Sequence, residues 1–470
     1  MGPEARNCQN CKQSFTIEPD DFGFYEKIKV PPPTWCPECR LQRRMTWRND
    51  WHLFRKKEVR TGEETFSIFP EESPVKIYDR DFWFSDAWDP TQFGRDYDWN
   101  KPFFAQLLEL LHTVPLPAHS MRDMTNCRFC TNANNCKNCY LVRGASHTED
   151  SAYLIWDQSS KQCMESHMTN SCELSYGNVN ATKCYKTFFS VDCEDCHDLF
   201  LCKDCVGCNN CFGSFGLRNK SYYFFNTPYS KEEYIEKIKE LNLTSWDSFE
   251  IARVRAYSHW LKYPHKFIHS WQNTNVSGDY VFESKNTAHS YRVRGLEDCK
   301  YCQNILTGPV KDCYDYSNYG ENIELIYESL VIGSSCSRVM FSTQGYPNLK
   351  DCQYCVFNVS SSNLFGCVGL RKNQYCILNK QYTKEEYFEL VPRIIEHMKS
   401  VPYIDKNGGT YRYGEFFPPE FSPFPYQISA AQEFFPLKEE EIKAKGFNWY
   451  PASRQSYAVT LPSRGLPDKI

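Results

Sequence analysis

The sequence predicts a mainly β fold built around two duplicated β-solenoids, and three observations predict it. Between Met124 and Asn226 every third residue is almost always small, and the cysteines of that stretch, from Cys127 to Cys211, all fall in this one phase. A longer period lies over it: steps of 21 residues give the columns Cys127, Thr148, Thr169, Ser190, Cys211 and Cys163, Cys184, Cys205. The plan then recurs, because GLRNKSYYFFNTPYSKEEYIEKI at 216–238 is echoed by GLRKNQYCILNKQYTKEEYFELV at 369–391. A fixed period marks a solenoid, in which each coil buries its inner face only against its neighbours. Coils of about 21 residues are therefore expected at 124–229 and at 272–380.

Each solenoid is followed by a helix. Ser230 with Glu233 and Thr383 with Glu386 are capping boxes, so helices start at both places. The first closing segment, 230–271, holds a second helical run from Trp246 to Leu261; the second closing helix occupies 381–400. In the second half Cys313, Ser334, Cys355 and Cys376 form a column, but the phase slips between Cys302 and Cys313 and again around Cys336. Insertions into those coils are expected.

The N-terminal segment carries Cys8-x2-Cys11 and Cys36-x2-Cys39. Four thiolates at such spacing close a tetrahedral zinc shell, which replaces the core a segment this short cannot build. A disulfide pair or plain buried thiols are the alternatives. With Phe15, the Phe24-Tyr25 pair, the proline run 31–33 and the closing Cys36-Pro37-Glu38-Cys39-Arg40, residues 7–45 resemble the family described as a probable zinc-ribbon domain. The resemblance implies a metal and a fold but no reaction. The remainder is similar to bacterial cysteine-rich repeat proteins whose ribbons can carry a second cysteine-bearing half; residues 57–86 contain no cysteine here. The expected fold class is thus two solenoids, each closed by a helix, preceded by a zinc ribbon at 1–45.

From Arg40 to Arg60 the chain carries eight Lys or Arg against Asp50 and Glu58. On a helix, Arg40, Arg43, Arg44, Trp47, Arg48, Trp51 and Arg55 share one stripe. Arginine pairs with phosphate and an indole stacks on a base, so this stripe is the candidate nucleic-acid surface, with RNA or a ribonucleoprotein as partner. The plainer reading is a helix that packs both tryptophans and solvates its arginines. Residues 46–123 otherwise read as an aromatic-rich connector with a helix at 102–113, and 401–470 as a Pro- and aromatic-rich tail packed on the body.

Inside the first solenoid, Cys127, Cys130, Cys136 and Cys139 are a second candidate metal set. The same columns accept Ser, Thr and Ala, however, and a ligand cannot be exchanged for Ala, so packing explains more of the pattern. The net charge of −4 gives no global pull toward nucleic acid or an anionic membrane. No apolar run approaches membrane-spanning length, and 25 cysteines without an export signal argue for reduced thiols in a cytoplasm. No paired carboxylates, Ser/His/Asp set or phosphate loop stands out. The leading function is a non-enzymatic zinc-binding interaction protein, its solenoid faces open to protein partners. A β-helix enzyme acting on a polymer such as a polysaccharide and a thiol-rich metal or redox protein are the alternatives.

Overall fold

The computed structural model describes residues 2–451, so 452–470 of the expected tail lie outside it. Residues up to Ala118 together with Phe267–Pro451 form one compact unit, and His119–Lys266 form the other.

The first unit begins with an antiparallel hairpin, β1 (Glu4–Asn7) and β2 (Ser14–Ile17), followed by helices α1 (Pro19–Ile28) and α2 (Pro37–Met45). A second hairpin, β3 (Phe54–Lys57) and β4 (Glu64–Ser67), leads to α3 (Arg80–Phe84) and α4 (Phe103–Leu111). Phe103, Leu107, Leu110 and Leu111 of α4 are buried, as the i, i+4, i+7, i+8 spacing requires.

In the second unit the backbone bridges in parallel at intervals of twelve: Thr125 with Lys137, Lys137 with Glu149, Glu149 with Lys161. Each side of the coil is three residues, and four sides close a turn. The expected coil of about 21 residues is corrected to twelve. Twenty-one residues are seven sides, one short of two coils, so each member of a 21-residue column sits one face away from the last. The column looked regular because all four inward positions take small side chains. Cys163 stacks over Ser151, whose Oγ accepts its backbone N–H at 3.1 Å, and not over Cys184.

A three-residue side works because one residue in each triplet turns the corner in the left-handed region. Asn126, Asn132, Asn135, Asn138 and Asp150 do so at φ 50–52°, and Gly144 at 62°. These residue types adopt that conformation at least cost. Their enrichment one place before each small position is a signal of the coil geometry that small-residue spacing alone does not convey. The next triplet positions point in and then bridge: Arg128 N–H donates to the Cys139 carbonyl at 2.9 Å, and Leu141 N–H to the Arg128 carbonyl at 3.1 Å. The inward residue's own N–H often meets the inner side chain one coil earlier, as Cys202 N–H does at Ser190 Oγ (3.1 Å) and Cys208 N–H at Cys196 Sγ (3.4 Å). On the outside, Phe188, Phe200, Phe212 and Phe224 form a ladder with ring centroids 5.7, 5.6 and 5.4 Å apart. Helices α5 (Lys231–Glu240) and α6 (Trp246–Trp260) pack beside it, with Phe249 against Phe189 at 4.5 Å.

The second solenoid, in the first unit, repeats the design with unequal coils. Lys350, Ser362 and Gln374 stack at steps of twelve. Ser337 pairs with Lys350, thirteen residues on, and Leu296 with Val310, fourteen on. These longer coils account for the phase slips at Cys302–Cys313 and near Cys336. Helix α7 (Lys384–Ser400) follows, opened by the Thr383–Glu386 capping box. Phe416, Phe417, Phe421, Phe424 and Tyr426 are buried in this unit's core, Phe417 lying 4.7 Å from Trp47. Among the described residues no helix is long and apolar enough to cross a membrane.

Candidate metal centre

Cys8 opens the turn of the β1–β2 hairpin and Cys11 lies within it. Cys8 N–H donates to Gln13 O at 2.8 Å, Lys12 N–H returns to Cys8 O at 3.0 Å, and Lys12 takes φ 64°. Cys36 is the N-cap of α2 and Cys39 lies in its first turn, with Pro37 at the first helical position. Gln9 N–H donates to Thr34 O at 2.8 Å and ties the hairpin to the approach of that helix. The four sulfurs consequently lie within 4.8 Å of one another, and Cys11 and Cys36 Sγ are 3.8 Å apart.

Four sulfurs held at about 2.3 Å from a tetrahedral ion stand about 3.8 Å from each other, so the residues fit a metal. Cys36 N–H donates to Cys8 Sγ at 3.2 Å and Asn10 Nδ2–H to Cys39 Sγ at 3.3 Å. Hydrogen bonds from the Cys36 and Cys39 thiols hold Cys8 well below the usual thiol range, against the opposing effect of burial. The N-terminus of α2 adds positive potential at Cys36 and Cys39. Cys8, Cys36 and Cys39 are buried, and the set contains neither histidine nor carboxylate. Such an all-thiol shell leaves no position for a reacting water, as structural sites do.

The basic stripe requires correction. Helix α2 ends at Met45, and Arg55 lies on β3, so residues 40–60 are not one helix. Arg40, Arg43 and Arg44 are buried among carboxylates far along the chain. Arg40 pairs with Asp315 at 2.7 Å, Arg43 with Glu328 at 2.8 Å and Glu415 at 3.2 Å, and Arg44 with Asp315 at 3.2 Å. Burial opposes the Arg40 charge, but Asp315 and its neighbours outweigh it and raise the pKa above the usual guanidinium value. Trp47 is buried against Phe416 and Phe417, Arg48 is buried beside Asp50 at 2.5 Å, and Trp51 is half-buried. Arg55 alone of the seven is exposed, and it lies over the Phe66 ring at 4.8 Å. Arg40, Arg43 and Arg44 join α2 to the second solenoid and do not form an outer surface. Nothing local in the sequence identifies partners some 270 to 370 residues away.

The second candidate set is also corrected. Among the described residues, the ribbon cysteines are the only group brought within metal-binding reach. Cys127 and Cys139 occupy one inward column, while Cys130 and Cys136 lie on other sides of the coil. Their thiols donate to main-chain oxygens instead: Cys139 Sγ reaches Lys137 O and Thr148 O, both at 3.3 Å. Cys163 does the same to Lys161 O and Cys172 O at 3.4 Å, and burial pushes its thiol up to about 12. Serines in the same columns make the first of these two bonds, as Ser151 Oγ does to Glu149 O at 2.7 Å and Ser166 Oγ to Met164 O at 3.1 Å.

The β3–β4 hairpin builds the same turn without cysteines. Glu58 N–H donates to Glu63 O and Gly62 N–H to Glu58 O, both at 3.0 Å, as at Cys8. Val59 N–H donates to Ile77 O at 3.0 Å, as Gln9 does to Thr34. Glu58 thus stands where Cys8 stands, Thr61 where Cys11 does, and Asp79, the N-cap of α3, where Cys36 does. The Glu58 carboxylate accepts the N–H groups of Thr61 at 2.7 Å and Arg60 at 3.3 Å, and Arg60 covers the Phe82 ring at 4.2 Å.

Compared with models of known protein families and with curated proteins, the chain matches none.

Proposed function

We propose that the protein is a non-enzymatic interaction scaffold whose ribbon binds one structural zinc ion through Cys8, Cys11, Cys36 and Cys39. The observation that carries this reading is the closed, four-sulfur geometry of the cluster. Zinc suits a tetrahedral thiolate site that performs no redox work, and binding it supplies folding free energy to the N-terminal segment. The solenoids supply the surface: two of every three residues in a coil face outward, and repeat folds use such sides for extended partners. With the Arg40–Arg48 cations committed to internal carboxylates, an RNA partner loses its main support. A protein partner along a solenoid side is the favoured one.

Elemental analysis of the purified full chain tests the metal, with about one zinc per chain expected. A visible thiolate-to-iron absorption band, or a folded chain retaining no metal, would overturn the zinc assignment. Exchanging outward residues on one solenoid face at a time, followed by affinity capture with mass spectrometry, tests the scaffold. A nuclease-sensitive, salt-dependent RNA co-purifying with the chain would defeat the protein-partner reading.

A further inference from the structure

The second unit holds an open groove of about 300 Å³ between the outer ladder of the first solenoid and α5. Its floor is the row Phe188, Phe200 and Phe212, whose ring centroids follow one another at 5.7 and 5.6 Å. Ile235 and Ile238 of α5, with Leu243 beyond it, line the groove as well. Ile235 is still 40% exposed. Charge enters only at the rim. Lys186, Asp198 and Asn210 stand in one outer column, a coil apart, and Lys239 lies in the last turn of α5. Asp198 is 3.1 Å from His197 Nδ1. Lys186 is exposed, and its ammonium lies over the Tyr185 ring at 5.3 Å rather than on a carboxylate. Lys239 pairs across one turn with Glu236 at 2.8 Å, but both side chains are about two-thirds exposed, and such a pair is worth little in water.

We propose that this groove binds a medium-chain aliphatic carboxylate, its chain along the three phenyl rings and its head at the Lys186 and Lys239 ammonium groups. Apolar walls with a few polar groups that fix orientation are the usual make-up of a small-molecule site. The phenyl floor offers no hydrogen bonds, so a sugar or nucleotide would leave its polar groups unpaired there. Two rim ammonium groups disfavour a cationic head, and the one lining carboxylate already has a partner. An extended chain advances roughly 1.2 Å per bond, so about ten carbons reach from the first ring past the third.

Titration calorimetry of the full chain with sodium decanoate tests this. About one decanoate per chain is expected, with a dissociation constant of about 10–100 μM. Decanol and decylamine should bind about tenfold more weakly, since neither brings a negative head to the ammonium groups. Lys186→Glu and Lys239→Glu together should weaken decanoate about tenfold and leave decanol unchanged. Ile235→Asp should weaken both ligands by placing a charge in the wall. All three positions are exposed, so far-ultraviolet circular dichroism should not change. Absence of saturable decanoate binding up to about 1 mM overturns the proposal. Decanol or decylamine binding as tightly as decanoate also overturns it, as does decanoate affinity unmoved by the lysine exchanges or by Ile235→Asp.

Discussion

Arg43 illustrates how a charged side chain can be a core residue. Its guanidinium is fully buried between Glu328 and Glu415, and stacks on the Trp35 ring at 4.2 Å. Three cations meet three carboxylates, so the group is neutral as a whole; removing one member leaves an uncompensated buried charge. Arg43→Ala is expected to cost about 3–5 kcal/mol in urea unfolding without changing the metal content. A loss below about 1 kcal/mol would mean that the network does not couple the ribbon to the solenoid. Asp157 is the corresponding case in the first solenoid. It is an inward residue whose carboxylate accepts from Thr148 Oγ1 at 2.5 Å and also from Thr169 Oγ1. Burial raises its pKa above the ordinary 3.8, although Ser160, Thr148 and Thr169 pull the other way. The folded chain therefore holds this proton more tightly than the unfolded chain does. The sign follows: stability is greatest at low pH, where both states are protonated at this site, and falls as pH rises from the ordinary carboxyl range through the folded pKa. Asp157→Asn should match the wild type in melting temperature near pH 4 and exceed it increasingly toward about pH 7. Parallel melting curves across that range would refute it.

At the scale of elements, the two hairpins stabilise the same turn by different chemistry. In the first, four thiols converge, and in the second, the Glu58 carboxylate gathers two backbone N–H groups. Burial acts against its ionised form, but the bonds from Thr61 and Arg60 prevail and hold its pKa below the usual value. Glu58→Ala leaves those donors without their acceptor, at an expected cost of about 1–3 kcal/mol, read by chemical denaturation. Glu58→Gln keeps an acceptor oxygen and should recover part of it. If both variants were equally stable to the wild type, the carboxylate would not be what holds the turn.

At the scale of the whole molecule, the solenoids are assembled from coils that add or subtract as units. Removing residues 176–187 joins Ser175 to Phe188 and places Phe188 in the column that Tyr176 occupied. Every later inward residue stays inward. Removing 176–186 instead turns each later inward position outward, exposing Leu199 and Cys202 and burying their polar neighbours. The twelve-residue deletion should melt cooperatively within about 5 °C of the full chain, and the eleven-residue deletion should fail to fold. Equal behaviour of the two would contradict a coil of four three-residue sides.

The sequence by itself determined the solenoids, their duplication, the insertions in the second one and the cysteines of the ribbon. Those features are written in local spacing: a small residue every three positions, a capping box repeated after each array, and two paired cysteines. It did not determine how many sides close a coil, because every inward position accepts the same small residues, so columns at 21 and at 12 looked alike. The ladder of hydrogen bonds between Thr125, Lys137 and Glu149 decides that. Nor did it determine the role of Arg40, Arg43 and Arg44. A cluster of cations reads as a surface until its counter-charges are known, and Asp315, Glu328 and Glu415 reach it only through the folded chain. Spacing along the chain records which residues share a face; only tertiary structure decides what that face meets.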